Sequence, residues 1–336
     1  VIVPTLMRAR RLARLLDDLV NQITAFRYEI IVVDNGSTDE TSAVVQRLVV
    51  RRAVALNAQV RYFYEPRLGA SRARNRGIAS ARAPILAFVD DDVRVASDWV
   101  ESIVRAFEHD PTVDCLGGQV EPRWPTEPPR WLTKAHWPPL ALQIGRGTAP
   151  YLDAEHASAC LITANFACRA DVFQELGGFS PEFVRDEDRE FNLRMWRAGK
   201  RGKYEPSIRA FAEVQHERLA RRHHRQWYRV TGRSHARLRY LEIVDRDGRL
   251  HALDESRGRY LFGAPLYLYR ELVTHGAQWI KYVALWSTDD AFFEECRVRY
   301  LLAYLATRWT DYARKTRAQA ASFLFLHSDA DGPVAR

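Results

Sequence analysis

The chain has 336 residues, 47% hydrophobic and 27% charged, a composition that argues against disorder as the default and suits one large domain or a core with an appendage. Lys and Arg number 50 against 42 Asp and Glu, giving a formal charge of +8, and nearly all the bases are Arg. The planar guanidinium fork matches phosphate geometry, so phosphorylated substrates, anionic lipid and nucleic acid all fit as partners. Cys115, Cys160, Cys168 and Cys296 are scattered without metal-ligand spacing, which predicts reduced, buried thiols of a cytoplasmic protein. No secretory signal is visible. No apolar run reaches the roughly 20 residues of a spanning helix. The longest candidate, residues 260–269, stops at Arg270 and Glu271.

The first hundred residues alternate strand and helix. Residues 1–3 read as a short strand. Leu12, Leu15, Leu16, Leu19 and Ile23 recur at helical spacing. Residues 29–33 (EIIVV) form a buried strand ending at Asp34, followed by a Gly36-Ser37-Thr38 turn. Val44, Val45, Leu48 and Val49 line the next helix. Residues 60–64 are a strand, 70–80 a helix and 85–89 (ILAFV) a strand ending at Asp90. Ser97 is placed to cap a helix whose face is Trp99, Val100, Ile103, Val104 and Phe107. This order predicts an α/β fold, a mostly parallel central sheet flanked by helices. Ligands bind such sheets at the carboxyl ends of the strands, where Thr5, Asp34 and Asp90–Asp92 fall.

Residues 121–150, rich in Pro and Trp (Trp124, Trp131, Trp137), read as an irregular insertion. Regular structure resumes with a strand over 159–168 and a short helix over 171–176 stopped by Gly177-Gly178. A helix over 189–198 then closes at Gly199, and a strand-like stretch spans 208–214. Beyond His216 the pattern is helical, aromatic and Arg-rich.

Several clusters can carry chemistry. Asp90, Asp91 and Asp92 repel one another, so they form either a solvated acidic turn or a hard-oxygen site for Mg²⁺ or Mn²⁺. Asp34 serves a turn and helix start, or accepts hydrogen bonds from a base or ribose. Asp186, Glu187 and Asp188 suit a helix's first turn, and Glu190 and Arg194 an i,i+4 pair. One of that acidic triplet could equally be a general base. A single His such as His216 is commonly structural, and His223, His224 and His235 compete as ligands. The eight Arg of residues 218–239, with no acid among them, form a solvated face, neutralise a pyrophosphate or meet an acidic membrane surface.

Taken together, VIVPT, EIIVVDNGSTDET, RLGASRARNRGIASA, ILAFVDDDV, ELGGFSPEF, DEDREFNLRMWRAGKR and the QH at 215–216 resemble, in order, the motifs of family 2 glycosyltransferases with the GT-A fold. The resemblance implies a Rossmann-like catalytic domain over residues 1–216. Its nucleotide-binding half would be 1–115 and its acceptor-binding half 116–216, with residues 217–336 a helical C-terminal extension. It implies that Pro4, Thr5 and Asp34 border the nucleotide, that Arg72 and Asn75 lie along it, and that Asp90 and Asp91 contact it. Asp92 would bind a divalent metal, with His216 at a position that ligates it in some members. Asp188 would be the base of an inverting transfer, with Glu187 beside it. The implied partners are a nucleotide-sugar donor, a uridine diphosphate sugar being the commoner case, and a saccharide, lipid-linked or small-molecule acceptor. The inner membrane face is a candidate docking surface, and no nucleic acid is expected. Two departures stand out: Leu6 replaces the usual aromatic after Pro-Thr, and Ser180 the usual Asp after GGF.

Three other classes fit the sequence less well. A haloacid-dehalogenase-type phosphotransferase wants Asp-x-Asp-x-Thr on its first strand, whereas here the motif is on the fourth and Arg94 stands at the Thr. A dinucleotide oxidoreductase wants GxGxxG after the first strand, which is absent. A non-catalytic carbohydrate- or nucleic-acid-binding protein accounts for the aromatics or the charge but not for two acidic triplets.

Overall fold

The computed structural model describes residues 1–51, 58–145, 151–255 and 258–328, and not the side chains of 48–51 and 317–328. The side chains of Leu48 and Val49, and the end of the predicted insertion at 146–150, thus lie outside what is described. Two compact units are present. The first comprises residues 1–223 with 244–251; the second comprises 224–243 and the described residues from 252 onward.

The first unit is built on an eight-stranded mixed sheet. In chain order its strands are β1 (Ile2–Thr5), β2 (Tyr28–Asp34), β3 (Ala58–Tyr64), β4 (Ile85–Val89), β5 (Val93–Val95), β6 (Cys115–Arg123), β7 (Asn165–Arg169) and β8 (Gly202–Glu213). They lie side by side as β3-β2-β1-β4-β7-β6-β8-β5. The pairs β1–β2, β2–β3, β1–β4 and β6–β8 are parallel, while β4–β7, β6–β7 and β5–β8 are antiparallel. The sheet is therefore mostly parallel, with β7 running against its neighbours at the centre.

Helix α1 (Ala9–Val20) buries Leu12, Leu15, Leu16 and Leu19 on one face. Each such side chain stabilises the packing by about 1.5–3 kcal/mol. The helix ends at Val20, and Ile23 is 71% exposed rather than part of that face; its N–H instead donates to the Ser97 carbonyl. Helix α2 (Thr41–Arg51) follows β2. Helix α3 (Ala70–Ser80) runs over the span the sequence predicts and lies close on β1, because a Cβ at Gly77 would come 2.5 Å from Ile2 Cγ2. Helix α4 (Trp99–His109) buries Trp99, Val100, Ile103 and Phe107; its N-cap residue is Asp98, not Ser97, and makes no side-chain capping bond. Helices α5 (Ala170–Leu176) and α6 (Glu187–Arg197) follow β7, and Glu190 pairs with Arg194 at 2.8 Å. The predicted strand at 159–168 is shorter in the structure, confined to β7. The strand β6 enters the stretch read as irregular, while Trp124, Trp131 and Trp137 pack partly buried against the core.

The second unit is helical. It holds most of α7 (Arg221–Leu238), α8 (Tyr240–Ile243), a small hairpin of β9 (Tyr260–Leu261) and β10 (Ala264–Pro265), α9 (Leu266–Ala284) and α10 (Thr288–Ser328). The Glu242 side chain is buried, paired with Arg239 and Arg308 and accepting from the Tyr304 hydroxyl. Arg225 pairs with Glu295 at 2.7 Å. The Arg-rich stretch is thus partly internal, while Arg229, Arg233 and Arg237, spaced one turn apart, are exposed. Among the described residues no helix is long and apolar enough to cross a membrane. None of the four cysteines is in a disulfide, and Cys115, Cys168 and Cys296 are buried; burial holds the Cys115, Cys160 and Cys168 thiols well above their ordinary pKa.

Candidate active site

The carboxyl ends of β1, β2 and β4 bring Thr5, Asp34 and the Asp90–Asp92 turn to one edge of the sheet. Pro4 sits in β1, directly opposite Val33 of β2, as part of the buried strand leading to Thr5. Asp34 is buried; it accepts the Ser37 N–H and the Tyr62 hydroxyl, each at 2.8 Å. Burial and the neighbouring Asp34 push the Tyr62 hydroxyl up to about 12, so it stays a donor. Asn35, next in the chain, donates to the Glu65 and Arg67 carbonyls and accepts the Gly69 N–H, pinning the loop that enters α3.

The three adjacent aspartates have separate partners. Asp91 is buried, accepting the Thr5 hydroxyl at 2.8 Å and Arg8 Nη1 at 2.7 Å. Burial raises its carboxyl to about 6 against the opposing pull of Arg8. Asp92 Oδ2 accepts from Arg8 at 3.1 Å, Gln215 at 3.2 Å and Arg218 at 3.2 Å. Asp90 is the most open of the series, its side chain 32% exposed, and pairs with Arg74 Nη2 at 2.9 Å. Two arginines on Asp92 thus offset the mutual repulsion that makes the cluster costly.

The second acidic cluster begins α6. Asp186 adopts a left-handed backbone (φ 64°), which Asp tolerates better than most residues. Burial, then repulsion from Asp188, pushes its carboxyl up to about 7. Asp188 is raised to about 6 by burial, then by Glu187. Arg74, 4% exposed, joins the clusters: Nη2 binds Asp90, and Nη1 binds Glu187 at 2.6 Å. Asp90 and Glu187 are therefore joined through one arginine, although nearly a hundred residues apart in the chain.

Other named residues lie elsewhere. Asn75 spends both ends of its amide on the Phe179 backbone, at 2.8 Å each, and not on an open surface. Arg72 is half-buried on α3. His216 is exposed on a 3₁₀ turn (His216–Leu219), while its neighbours Gln215 and Arg218 are the groups that reach Asp92. His223 donates to the Pro139 carbonyl at 3.2 Å, and His235 shares a hydrogen bond with the Tyr300 hydroxyl at 2.7 Å. A cavity of about 580 Å³, within the range of ligand pockets, opens beside this edge at the head of α1. It is lined by Met7, Arg8, Arg10, Arg11, Asp39 and Glu40. Below the site, Phe88, Phe166, Phe173, Phe179 and Phe191 form a packed aromatic floor, with Phe173 and Phe191 stacked at 4.9 Å. The sequence reading missed Arg8, Arg74, Gln215 and Arg218 as individual site groups. The available signals were the basic residue before Asn75 in RARN, the QH at 215–216 and the start of the Arg-rich stretch at Arg218.

The residues can be tested for a divalent cation. Among the described residues no three His, Cys, Asp or Glu side chains converge to cage one. Mg²⁺ and Mn²⁺ suit a different arrangement, in which one or two carboxylates share the ion with water and phosphate oxygens. Asp92 fits that arrangement through its other carboxylate oxygen, Oδ1, since Arg8, Gln215 and Arg218 all bind Oδ2.

A mixed, mostly parallel sheet with C-terminal helices is a fold of GT-A type. The glycosyl transferase family 2 model matches residues 1–177, and the chain belongs to that family. It is 38% identical over 109 residues to validoxylamine A glucosyltransferase of Streptomyces hygroscopicus, covering 32% of this chain and 24% of that protein. It is 29% identical over 210 residues to the pre-mycofactocin glycosyltransferase of Mycobacterium tuberculosis, covering 61% of this chain and 40% of that one. The match thus spans well under half the length of these relatives. Among solved structures, the mannosyltransferase PcManGT of Pyrobaculum calidifontis, in complex with GDP-Man and Mn²⁺, is similar with a TM-score of 0.53 at 19% identity. That likeness covers 96% of this chain and 79% of that one. S. aureus TarS 1–349 in complex with UDP-GlcNAc gives 0.52 at 18% identity, covering 94% and 91%. At these identities the likeness concerns the fold.

Proposed function

We propose that the protein transfers a sugar from a nucleotide diphosphate sugar to an acceptor hydroxyl with inversion. The observation that carries this reading is the Arg74 fork, which sets a strand-end carboxylate beside the acidic start of α6. Donor recognition falls to residues 1–115, with Pro4, Thr5, Asp34, Arg72, Asp90 and Asp91 around the nucleotide and Asn75 acting through the segment it holds. Acceptor recognition falls to residues 116–216, and residues 217–336 form the extension. A uridine diphosphate sugar is favoured, and the GDP-Man and UDP-GlcNAc bound by similar structures keep both bases in the test.

Asp188 takes the proton of the acceptor hydroxyl. A carboxyl raised to about 6 is largely ionised at neutral pH yet basic enough to accept that proton. The acceptor oxygen bonds to the anomeric carbon from the face opposite the diphosphate. The bond from that carbon to the diphosphate oxygen breaks, and its electrons leave with the nucleoside diphosphate. Arg8 and Arg218, which converge on Asp92, are the chain's own donors for the leaving charge. Asp92 would hold a Mg²⁺ or Mn²⁺ ion, with His216 as a second ligand, and such an ion neutralises diphosphate charge when bound. Glu187 orients the base segment through Arg74.

The exposed Arg229, Arg233 and Arg237 support peripheral contact with an anionic membrane surface. The reading is tested by incubating the protein with Mn²⁺ and labelled UDP-glucose, UDP-N-acetylglucosamine or GDP-mannose, with an acceptor panel. Release of nucleoside diphosphate with label on an acceptor supports it; a folded protein that turns over none of them and binds no nucleoside diphosphate contradicts it.

A further inference from the structure

Arg74 stands where the two halves of the reaction meet, and its surroundings are built to hold it. Helix α3 is drawn onto β1 by the Gly77–Ile2 approach, which sets Arg74 at the carboxyl edge of the sheet. Its guanidinium lies over the Phe179 ring, 5.8 Å from the centroid. The next residue, Asn75, clamps the Phe179 backbone from both sides. The two terminal nitrogens then reach two different carboxylates, Asp90 at 2.9 Å and Glu187 at 2.6 Å. A lysine carries the charge on one compact ammonium with rotatable donors, so it does not reproduce this rigid two-nitrogen fork.

We propose that Arg74 is a positioning residue that fixes the base-bearing segment 186–188 against the donor-side carboxylate Asp90, so that donor and base share one rigid frame. This inference rests on the transfer reading above. Arg74 does not touch the reacting atoms; it acts through Glu187 on Asp188 and through Asp90 on the donor. Asp188 faces Asp186, Glu187 and Arg189 of its own segment, Arg74 from α3, and the Cys160 thiol from the loop before β7. Taking away Arg74 leaves that carboxylate among acids with Arg189 as the main opposing charge. Its protonated form is then favoured, and the acid limb of the rate profile moves to higher pH.

The test uses the full chain with Mn²⁺. Nucleoside diphosphate release from UDP-glucose and GDP-mannose gives the rate, and titration with UDP and GDP gives binding. Arg74→Met is expected to lower kcat on the order of 100-fold, as misplacement by about an ångström does. It should weaken diphosphate binding by less than about tenfold and move the acid limb upward by roughly one pH unit, the scale of a lost neighbouring charge. Arg74→Lys keeps the acid limb but not the rate. Glu187→Gln combined with Arg74→Met is no slower than Arg74→Met alone, because both break one linkage. The inference is overturned by a folded Arg74→Met with kcat within about twofold of wild type, a factor smaller than coupled groups produce. It is also overturned by single losses that multiply in the double variant with the acid limb unmoved. If Arg74→Met does not fold, Arg74→Lys and Glu187→Gln decide, and full activity in both rejects it. Wild-type protein without turnover or binding rejects the transfer reading itself, an outcome separate from any of these.

Discussion

Asn75 grips Phe179 by both faces of its peptide unit: its Nδ2 donates to the Phe179 carbonyl and its Oδ1 accepts the Phe179 N–H, each at 2.8 Å. The grip ties α3 to the segment that leads into the second acidic cluster. It also explains Gly178, where a Cβ would come 2.2 Å from Asn75 Oδ1. Gly178→Ala should therefore destabilise the first unit by about 1–3 kcal/mol, the scale of overpacking. Denaturant titration checks this, and a stability equal to wild type would mean that the clamp yields without cost.

The role given to Asp188 predicts that Asp188→Asn loses on the order of 10²–10⁴-fold in kcat, the usual worth of a positioned base. Nucleoside diphosphate affinity should change little. Steady-state turnover and a binding titration on the same sample separate the two. Turnover near wild type in this variant moves the base to another residue.

Burial of Asp186 makes a stability prediction with a definite sign. Its folded carboxyl sits at about 7 against an ordinary 3.8, so the unfolded chain ionises first as pH rises. The destabilisation is absent below about 4, grows to about 7 and is full above that. Asp186→Asn should raise Tm at pH 8 and lose that advantage by pH 4. A gain in Tm independent of pH would assign the effect to something other than this ionisation.

Exposed Arg229, Arg233 and Arg237 predict binding to phosphatidylglycerol vesicles at low salt that fades as salt rises, at about 1 kcal/mol per basic residue near the surface. Replacing all three by Glu should abolish vesicle co-sedimentation and leave donor turnover in solution unchanged. Equal binding to neutral vesicles would remove the electrostatic explanation.

Much of the first sheet was legible because local and global signals agree there: EIIVV and ILAFV are buried strands, and the face of α1 is regular. The strand β6 was not, since CLGGQVEPR carries two Gly and a Pro and reads as loop. Its strand character comes from partners on both sides, and a Cβ at Gly118 would meet Asn165 of β7 at 2.2 Å. Ile23 fits the helical period but falls beyond the end of α1. In the site, carboxylates at strand ends could be named because position along the strand sets where they point. Arg8 and Arg74 could not, since Arg8 takes its part from Asp91, 83 positions away, and Arg74 joins Asp90 to Glu187, which lies 113 positions beyond Arg74. Asn75 was legible as a site residue but not as a clamp, because its partner is backbone and leaves no mark in the sequence.

The most direct test of the account is calorimetric titration of the full chain with uridine, guanosine, thymidine and adenosine diphosphates, with and without Mn²⁺, beside Asp92→Ala. The account predicts that one nucleotide binds the wild type more tightly with Mn²⁺, and that Asp92→Ala removes the metal-dependent part. A folded wild type that binds none of the four, or metal dependence that survives Asp92→Ala, would contradict it.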